Sequence, residues 1–202
     1  MAKRLSGDTS FDYIAGLTLP LIKRPKGSPC FRIHRSIHDP LWFGPDVTAP
    51  VSGRFNAPGY EYGVCYFGLS LDVAFAETLL RNPSSRLLGG SDLAVRSIST
   101  GHLTRGLQLV QLHGPGLNRL EITAETVHGP HDICRRLALE LWRHPKQVDG
   151  IAYRSRFDDD ELCVALFDRA IDAIAIDATE GLLDDMRRLG RILDKYDVGL
   201  DP

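Results

Sequence analysis

The chain has 202 residues, 43% of them hydrophobic and 25% charged, which suits one globular domain with a short appendage. Its 24 Lys and Arg against 26 Asp and Glu leave a net charge of -2. This argues against attraction to nucleic acid through overall charge, but leaves room for a local arginine cluster that takes phosphate. No apolar run approaches the roughly 20 residues that span a bilayer. The opening MAKRLSGDTSFDY turns polar where a secretory leader needs its apolar stretch, so a cytoplasmic location away from membranes is expected.

Residues 1–29 are mixed and proline-interrupted, and read as an extension packing on the outside of the core. Cys30 to Arg35 (CFRIHR) alternates apolar and polar and reads as a strand. On a regular strand Arg32 and Arg35, three apart, point to opposite faces, so spacing leaves open which of them faces a cleft. His38 to Ala57 is rich in Pro, Gly and aromatics, the composition of a long functional loop. Within it Arg54 follows Gly53 in SGRFNAPG: the glycine permits close backbone approach, and the planar guanidinium matches phosphate or carboxylate. Tyr62 to Gly68 (YGVCYFG) reads as a buried strand. Its Tyr66 can stack on a flat ring or simply pack the core.

Ser70 caps a helix expected to reach about Arg81, with Asp72 in its first turn. Strands are expected at Leu93 to Ile98 and Leu107 to Leu112. An amphipathic helix follows at Asp132 to Arg143, with Ile133, Leu137, Ala138 and Leu141 on one side. Late strands are expected at Gly150 to Arg154, Leu162 to Phe167 and Ala173 to Ile176, and a last helix from Thr179 to about Tyr196. Strands and helices mix without regular alternation, so the fold class is α+β rather than a doubly wound parallel sheet. The domain is placed at residues 30–178, and residues 179–202 form the C-terminal helix and tail. That helix and the tail KYDVGLDP are the candidate surface for a partner or a homodimer.

Glu77 stands out because the helix around it, LDVAFAETLL, is almost wholly apolar. A carboxylate on such a helix must be ion-paired, hydrogen-bonded or protonated. It reads either as a structural ion pair with an arginine or as a catalytic group. Ser155, in YRSRFDDDE, lies between two arginines at a strand end. It reads as a turn serine or as a group that orients a ligand or side chain, and not as a nucleophile, because GxSxG is absent. The cysteines form no CxxC pair and His34 and His38 share no helix face, so no metal site is expected. There is no GxxxxGK[ST] loop, GxGxxG or HExxH.

Taken in order, FRIHR, GRFNAPG, YGVCYFGLSLDVAFAET and DGIAYRSR resemble the RES family, named for its Arg, Glu and Ser. The resemblance covers about Cys30 to Ala178. It implies an ADP-ribosyltransferase-like fold, with mixed and antiparallel strands around an NAD cleft. It also implies the toxin of a type II toxin–antitoxin pair that depletes NAD by splitting the nicotinamide–ribose bond, as a glycohydrolase or phosphorylase. NAD would be substrate, with no true cofactor. The implied partner is an Xre-like helix-turn-helix antitoxin covering the cleft. By the same resemblance Glu77 is the family's glutamate and Ser155 its serine. Arg32 and Arg54 would clamp the pyrophosphate, with Arg35 the alternative to Arg32, and Tyr66 would pack against nicotinamide or its ribose. Two rivals stay open: ADP-ribosyl transfer to a protein, and a non-enzymatic module that binds a nucleotide or a partner.

Overall fold

The computed structural model describes residues 10–82 and 84–201; residues 1–9 of the expected N-terminal extension lie outside them. Among the described residues there are ten strands: β1 (Leu21–Arg24), β2 (Pro29–Arg35), β3 (Val64–Gly68), β4 (Leu87–Gly89), β5 (Arg96–Leu103), β6 (Leu107–Leu112), β7 (Gly150–Arg154), β8 (Leu162–Phe167), β9 (Ile174–Gly181) and β10 (Gly199–Asp201). Six α-helices accompany them: α1 (Leu71–Leu79), α2 (Gly90–Ala94), α3 (Pro115–Arg119), α4 (Ala124–His128), α5 (His131–Arg143) and α6 (Met186–Tyr196). Eight strands form one sheet in the order β1-β6-β7-β8-β3-β2-β5-β9. Every neighbouring pair is antiparallel except β6 and β7. A parallel pair needs a long crossover, which here carries α3, α4 and α5. The mixed α+β class read from the sequence is the class observed.

Alternation along the central strands sorts the core into two faces. Ile151 and Tyr153 of β7, with Ala165 and Phe167 of β8, pack with Leu137 and Leu141 of α5. Ala152, Val164 and Leu166 pack on the other side with Leu107 and Leu109 of β6. A third cluster joins Ile33 of β2 and Ile98 of β5 to Phe75 of α1 and to Leu189, Ile192 and Leu193 of α6. Among the described residues no helix is long and apolar enough to cross a membrane.

Several expected elements differ. Leu21–Arg24, inside the expected outer extension, is a strand pairing residue by residue with Leu107–Val110 of β6. The strand expected at Leu93 to Ile98 starts only at Arg96. Leu93 belongs to α2 and is fully buried, so the apolar run was split between two elements. Thr179 does not start the last helix: it pairs with Ser99, and β9 runs on to Gly181. The helix begins at Met186, where Asp185 caps it by accepting the Arg188 N–H at 2.9 Å. The tail is used within the chain, where Gly199–Asp201 pairs in parallel with Leu87–Gly89.

Candidate active site

The sheet is weakest in its middle. β2 and β3 are paired only at Phe31 and Gly68, and beyond that bridge they part. A cavity of about 510 Å³ opens there, lined by Phe31–Arg35 of β2, Tyr66–Gly68 of β3, and Ala74, Glu77 and Thr78 of α1. β3 turns directly into α1 because Gly68 carries no side chain. A Cβ there would sit 2.6 Å from the Ser70 carbonyl oxygen and 2.7 Å from the Ala74 nitrogen. Ser70 caps the helix by accepting the Val73 N–H at 3.2 Å. Val73, Ala74, Phe75 and Ala76 are buried, and Glu77 one residue further on reaches the cavity.

Glu77 has two partners. Its Oε1 accepts the Arg156 backbone N–H at 3.0 Å, and its Oε2 lies 3.7 Å from Arg54 Nη2. Arg54 is only 8% exposed, and its guanidinium lies over the rings of Tyr153 (5.0 Å) and Phe55 (5.5 Å). Such a cation over aromatic faces is partly compensated for lost water. Its Nη1 is buried with no hydrogen-bond partner among the described residues. Burial raises the Tyr153 phenol well above its ordinary range, so it stays neutral beside the pair.

The loop carrying Arg54 is fixed from two sides. The Tyr66 hydroxyl donates to Asn56 Oδ1 at 2.7 Å and accepts the Phe55 N–H at 2.9 Å. The first two turns of α5 hold the same loop: His131 Nδ1 meets the Ser52 carbonyl at 3.1 Å, and Arg135 Nε donates to the Gly53 carbonyl at 3.0 Å. Gly53 is required at this crossing, since a Cβ would lie 2.1 Å from Asn56 Oδ1 and 2.7 Å from the Tyr66 hydroxyl.

Ser155 is 1% exposed and does not line the cavity. Its hydroxyl accepts the N–H groups of Phe157 (3.0 Å) and Asp158 (3.2 Å), closing the turn that presents the Arg156 N–H to Glu77. The Arg156 side chain donates to the carbonyls of His128 and Gly129, tying this turn to the end of α4. Burial, and then the Arg54 charge, lower the Arg156 pKa, so two guanidinium groups share the region of one carboxylate. From the other side, the Tyr196 hydroxyl of α6 donates to Asp158 Oδ2 at 2.7 Å.

Arg32 and Arg35 both line the cavity but differ in their commitments. Arg32 Nη1 donates to the carbonyls of Pro40 (2.8 Å) and Trp42 (3.2 Å) and contacts Cys65 Sγ, so it spans the gap between the parted strands. Arg35 sits opposite Arg96 of β5 in the strand register. Thus Glu77, Arg54 and the main chain of Arg156 meet directly, Tyr66 and Ser155 support them, and Arg32 and Arg35 stand on the β2 wall. Arg156, Arg135, His131, Arg81 and Arg96 were not singled out in the sequence. Only Arg156 left a trace there, as the second arginine of YRSR. Among the described residues no group of three or more His, Cys, Asp or Glu is placed to hold a metal ion. Among the described residues the arrangement is a cationic hollow with one carboxylate, Glu77, on its wall. Such a site receives an anionic ligand and opposes negative charge to positive charge that develops within it.

The chain is 29% identical over 112 residues to the probable toxin y4kH of Sinorhizobium fredii (strain NBRC 101917 / NGR234), covering 55% of this chain and 87% of that protein. Its fold is similar to a chain in the crystal structure of the M. tuberculosis MbcT-MbcA toxin-antitoxin complex, with a TM-score of 0.67 at 12% identity. That match covers 95% of this chain and 99% of the other. The RES domain profile matches residues 29–185, which include both strands that flank the cavity, the glutamate helix and the Ser155 turn. The chain belongs to the RES domain family.

Proposed function

We propose that this protein is the toxin of a toxin–antitoxin pair and depletes NAD by breaking the bond between nicotinamide and ribose. The observation that carries the reading is Glu77, a carboxylate held by the Arg156 N–H and by Arg54 in the wall of an arginine-lined cavity. The family, and a relative named as a probable toxin, support the biological role.

The chemistry follows from the substrate. Nicotinamide in NAD is a cationic ring, and departs neutral when the C1′–N bond breaks and its electron pair goes to the ring nitrogen. Positive charge then spreads over C1′ and the ribose ring oxygen. A carboxylate beside that carbon lowers the barrier, as in glycosidic cleavage generally. Glu77 also suits a ribose hydroxyl, whose proton its oxygen can accept in a hydrogen bond. Arg54 and Arg156 fix the direction of the carboxylate, and the free Arg54 Nη1 offers a donor to an oxygen of the sugar. Water or phosphate attacks C1′ through oxygen; water loses one proton to solvent and leaves ADP-ribose. The antitoxin, an Xre-like helix-turn-helix protein, covers the cavity mouth.

The test is direct. Purified protein incubated with NAD should release nicotinamide, and Glu77→Gln should slow release by about 100-fold or more while NAD still binds. A Gln variant as fast as the parent removes the carboxylate from the reaction. ADP-ribose attached to cell proteins, in place of free product, would redirect the reading to protein modification.

A further inference from the structure

Six arginines line the cavity, and they fall into groups with different environments. Arg54 and Arg156 are engaged around Glu77, and Arg32 is spent on carbonyls and Cys65. Arg35, Arg81 and Arg96 remain. The β2–β5 register sets Arg35 and Arg96 side by side on neighbouring strands. Arg81 follows α1, and its Nε donates to the Glu77 carbonyl at 3.2 Å, which lays its side chain back along the helix towards the cavity. Among the described residues no carboxylate lies within ion-pair distance of these three. Arg96 is half-buried, and its Nε has no partner. Burial first, and then the charge of Arg35, lower its pKa. Asp92 acts in the opposite sense, and Arg81 adds to the lowering.

Like charges brought together without counter-ions cost stability, and a bound anion relieves that cost. We propose that Arg35, Arg81 and Arg96 hold the diphosphate of the dinucleotide, so that the phosphate seat lies on the β2–β5 side of the cavity and not at Arg32 and Arg54. This rests on NAD being the substrate. The geometry suits that molecule. Its diphosphate joins the reacting ribose through C5′, so the diphosphate seat must lie about one sugar from the carboxylate. Arg81, just past the end of α1, folds back to the Glu77 carbonyl at 3.2 Å, which keeps its guanidinium near the carboxylate's own turn of helix. The planar forks of three arginines match the oxygens of two linked phosphates better than ammonium groups would.

Three variants, Arg35→Ala, Arg81→Ala and Arg96→Ala, test the assignment. Each should raise KM for NAD by about tenfold or more, with a smaller fall in kcat. Inorganic pyrophosphate should compete with NAD on the parent protein and bind each variant about tenfold more weakly. Arg81→Lys, which keeps the charge and loses the fork, should fall between. Arg35 and Arg81 are exposed, so their variants keep the fold if Arg96→Ala does not. Parent-like KM and parent-like pyrophosphate affinity in the Arg35 and Arg81 variants would overturn the seat. If the parent releases no nicotinamide, the enzymatic reading fails. Pyrophosphate binding measured by calorimetry still decides the seat in that case.

Discussion

Arg54 and Glu77 face each other at 3.7 Å, and the guanidinium is the more deeply buried of the two, 8% against 21% exposed. The pair is therefore anchored on its cationic side. Arg54→Ala would strand the carboxylate beside the Arg156 N–H and remove a ring-stacked group from the Phe55–Tyr153 wall. The expected loss is about 2–4 kcal/mol, below the limit for a fully buried pair because Glu77 keeps some water. Glu77→Gln alone should cost less, since the amide oxygen still accepts the Arg156 N–H. Denaturant unfolding of both single variants and the double variant should give a coupling energy of about 0.5–3 kcal/mol. Additive effects would mean that the two side chains do not interact.

Gly53→Ala is expected to damage the site more than the fold. The new methyl would collide with Asn56 Oδ1 and the Tyr66 hydroxyl, so residues 52–56 must shift and carry Arg54 with them. Nicotinamide release should fall by about 100-fold, because an ångström of misplacement can cost that much. The thermal midpoint should drop by only a few degrees, about 1–2 kcal/mol for a chain of this size. An active Gly53→Ala protein would show that the Arg54 loop tolerates displacement.

Ser155→Ala tests whether the serine acts through the backbone. The substitution leaves the Phe157 and Asp158 N–H groups without their acceptor, at a cost of about 1–3 kcal/mol. The turn would loosen and the Arg156 N–H would lose its aim at Glu77. The expected signature is lower kcat with near-parental KM, together with faster amide exchange over residues 155–161. A rise in KM alone would instead place the hydroxyl against the substrate.

Acid should weaken the fold through histidines. His34 is buried, its Nε2 bonded to Ser99 Oγ at 2.8 Å and its Nδ1 to the Arg35 carbonyl at 2.9 Å. Burial above all lowers its pKa from the ordinary 6.5, and the charges of Arg32 and His38 add to this. The bond to the Arg35 carbonyl and the Asp39 charge oppose it. Burial also lowers His113, His128 and His131. Below pH 6.5 the unfolded chain takes up protons that the folded chain refuses, so stability rises with pH through that window. The contribution is complete above about pH 6.5 and is lost as pH falls through the depressed folded values. The thermal midpoint should decline from pH 7 to pH 5, and His34→Gln should flatten part of that decline. An unchanged slope would acquit His34.

Much of this site was legible because it lies on strongly patterned elements. The glutamate helix combines a serine cap with an apolar run, and a carboxylate inside such a run has few explanations. SGRFNAPG was legible because glycine before arginine marks close backbone approach. Arg156 escaped because it reaches Glu77 through its main chain, which any residue type could supply. Arg96 and Arg81 escaped for another reason. Each looks like an ordinary solvated charge, and only the β2–β5 register and the turn after α1 bring them together. The boundary near Thr179 was misread because ATEG looks like a helix start. Pairing with β5 overrode that local preference and kept the segment extended.

The lone bridge between Phe31 and Gly68 has a mechanical side. Every other junction in the eight-stranded sheet is stitched by several residue pairs, so the two parts of the sheet meet along a seam that little main-chain bonding resists opening. Arg54, over the Tyr153 ring of β7, lies on one bank of that seam and Arg35 and Arg96 on the other, while Glu77 faces Arg54 from the helix that leaves β3 and packs on β2. A dinucleotide touching both banks would act as a clasp. Occupancy would then be felt in the spine of the protein, as slower amide exchange along β2 and β3 together, and substrate would brace the sheet it sits in.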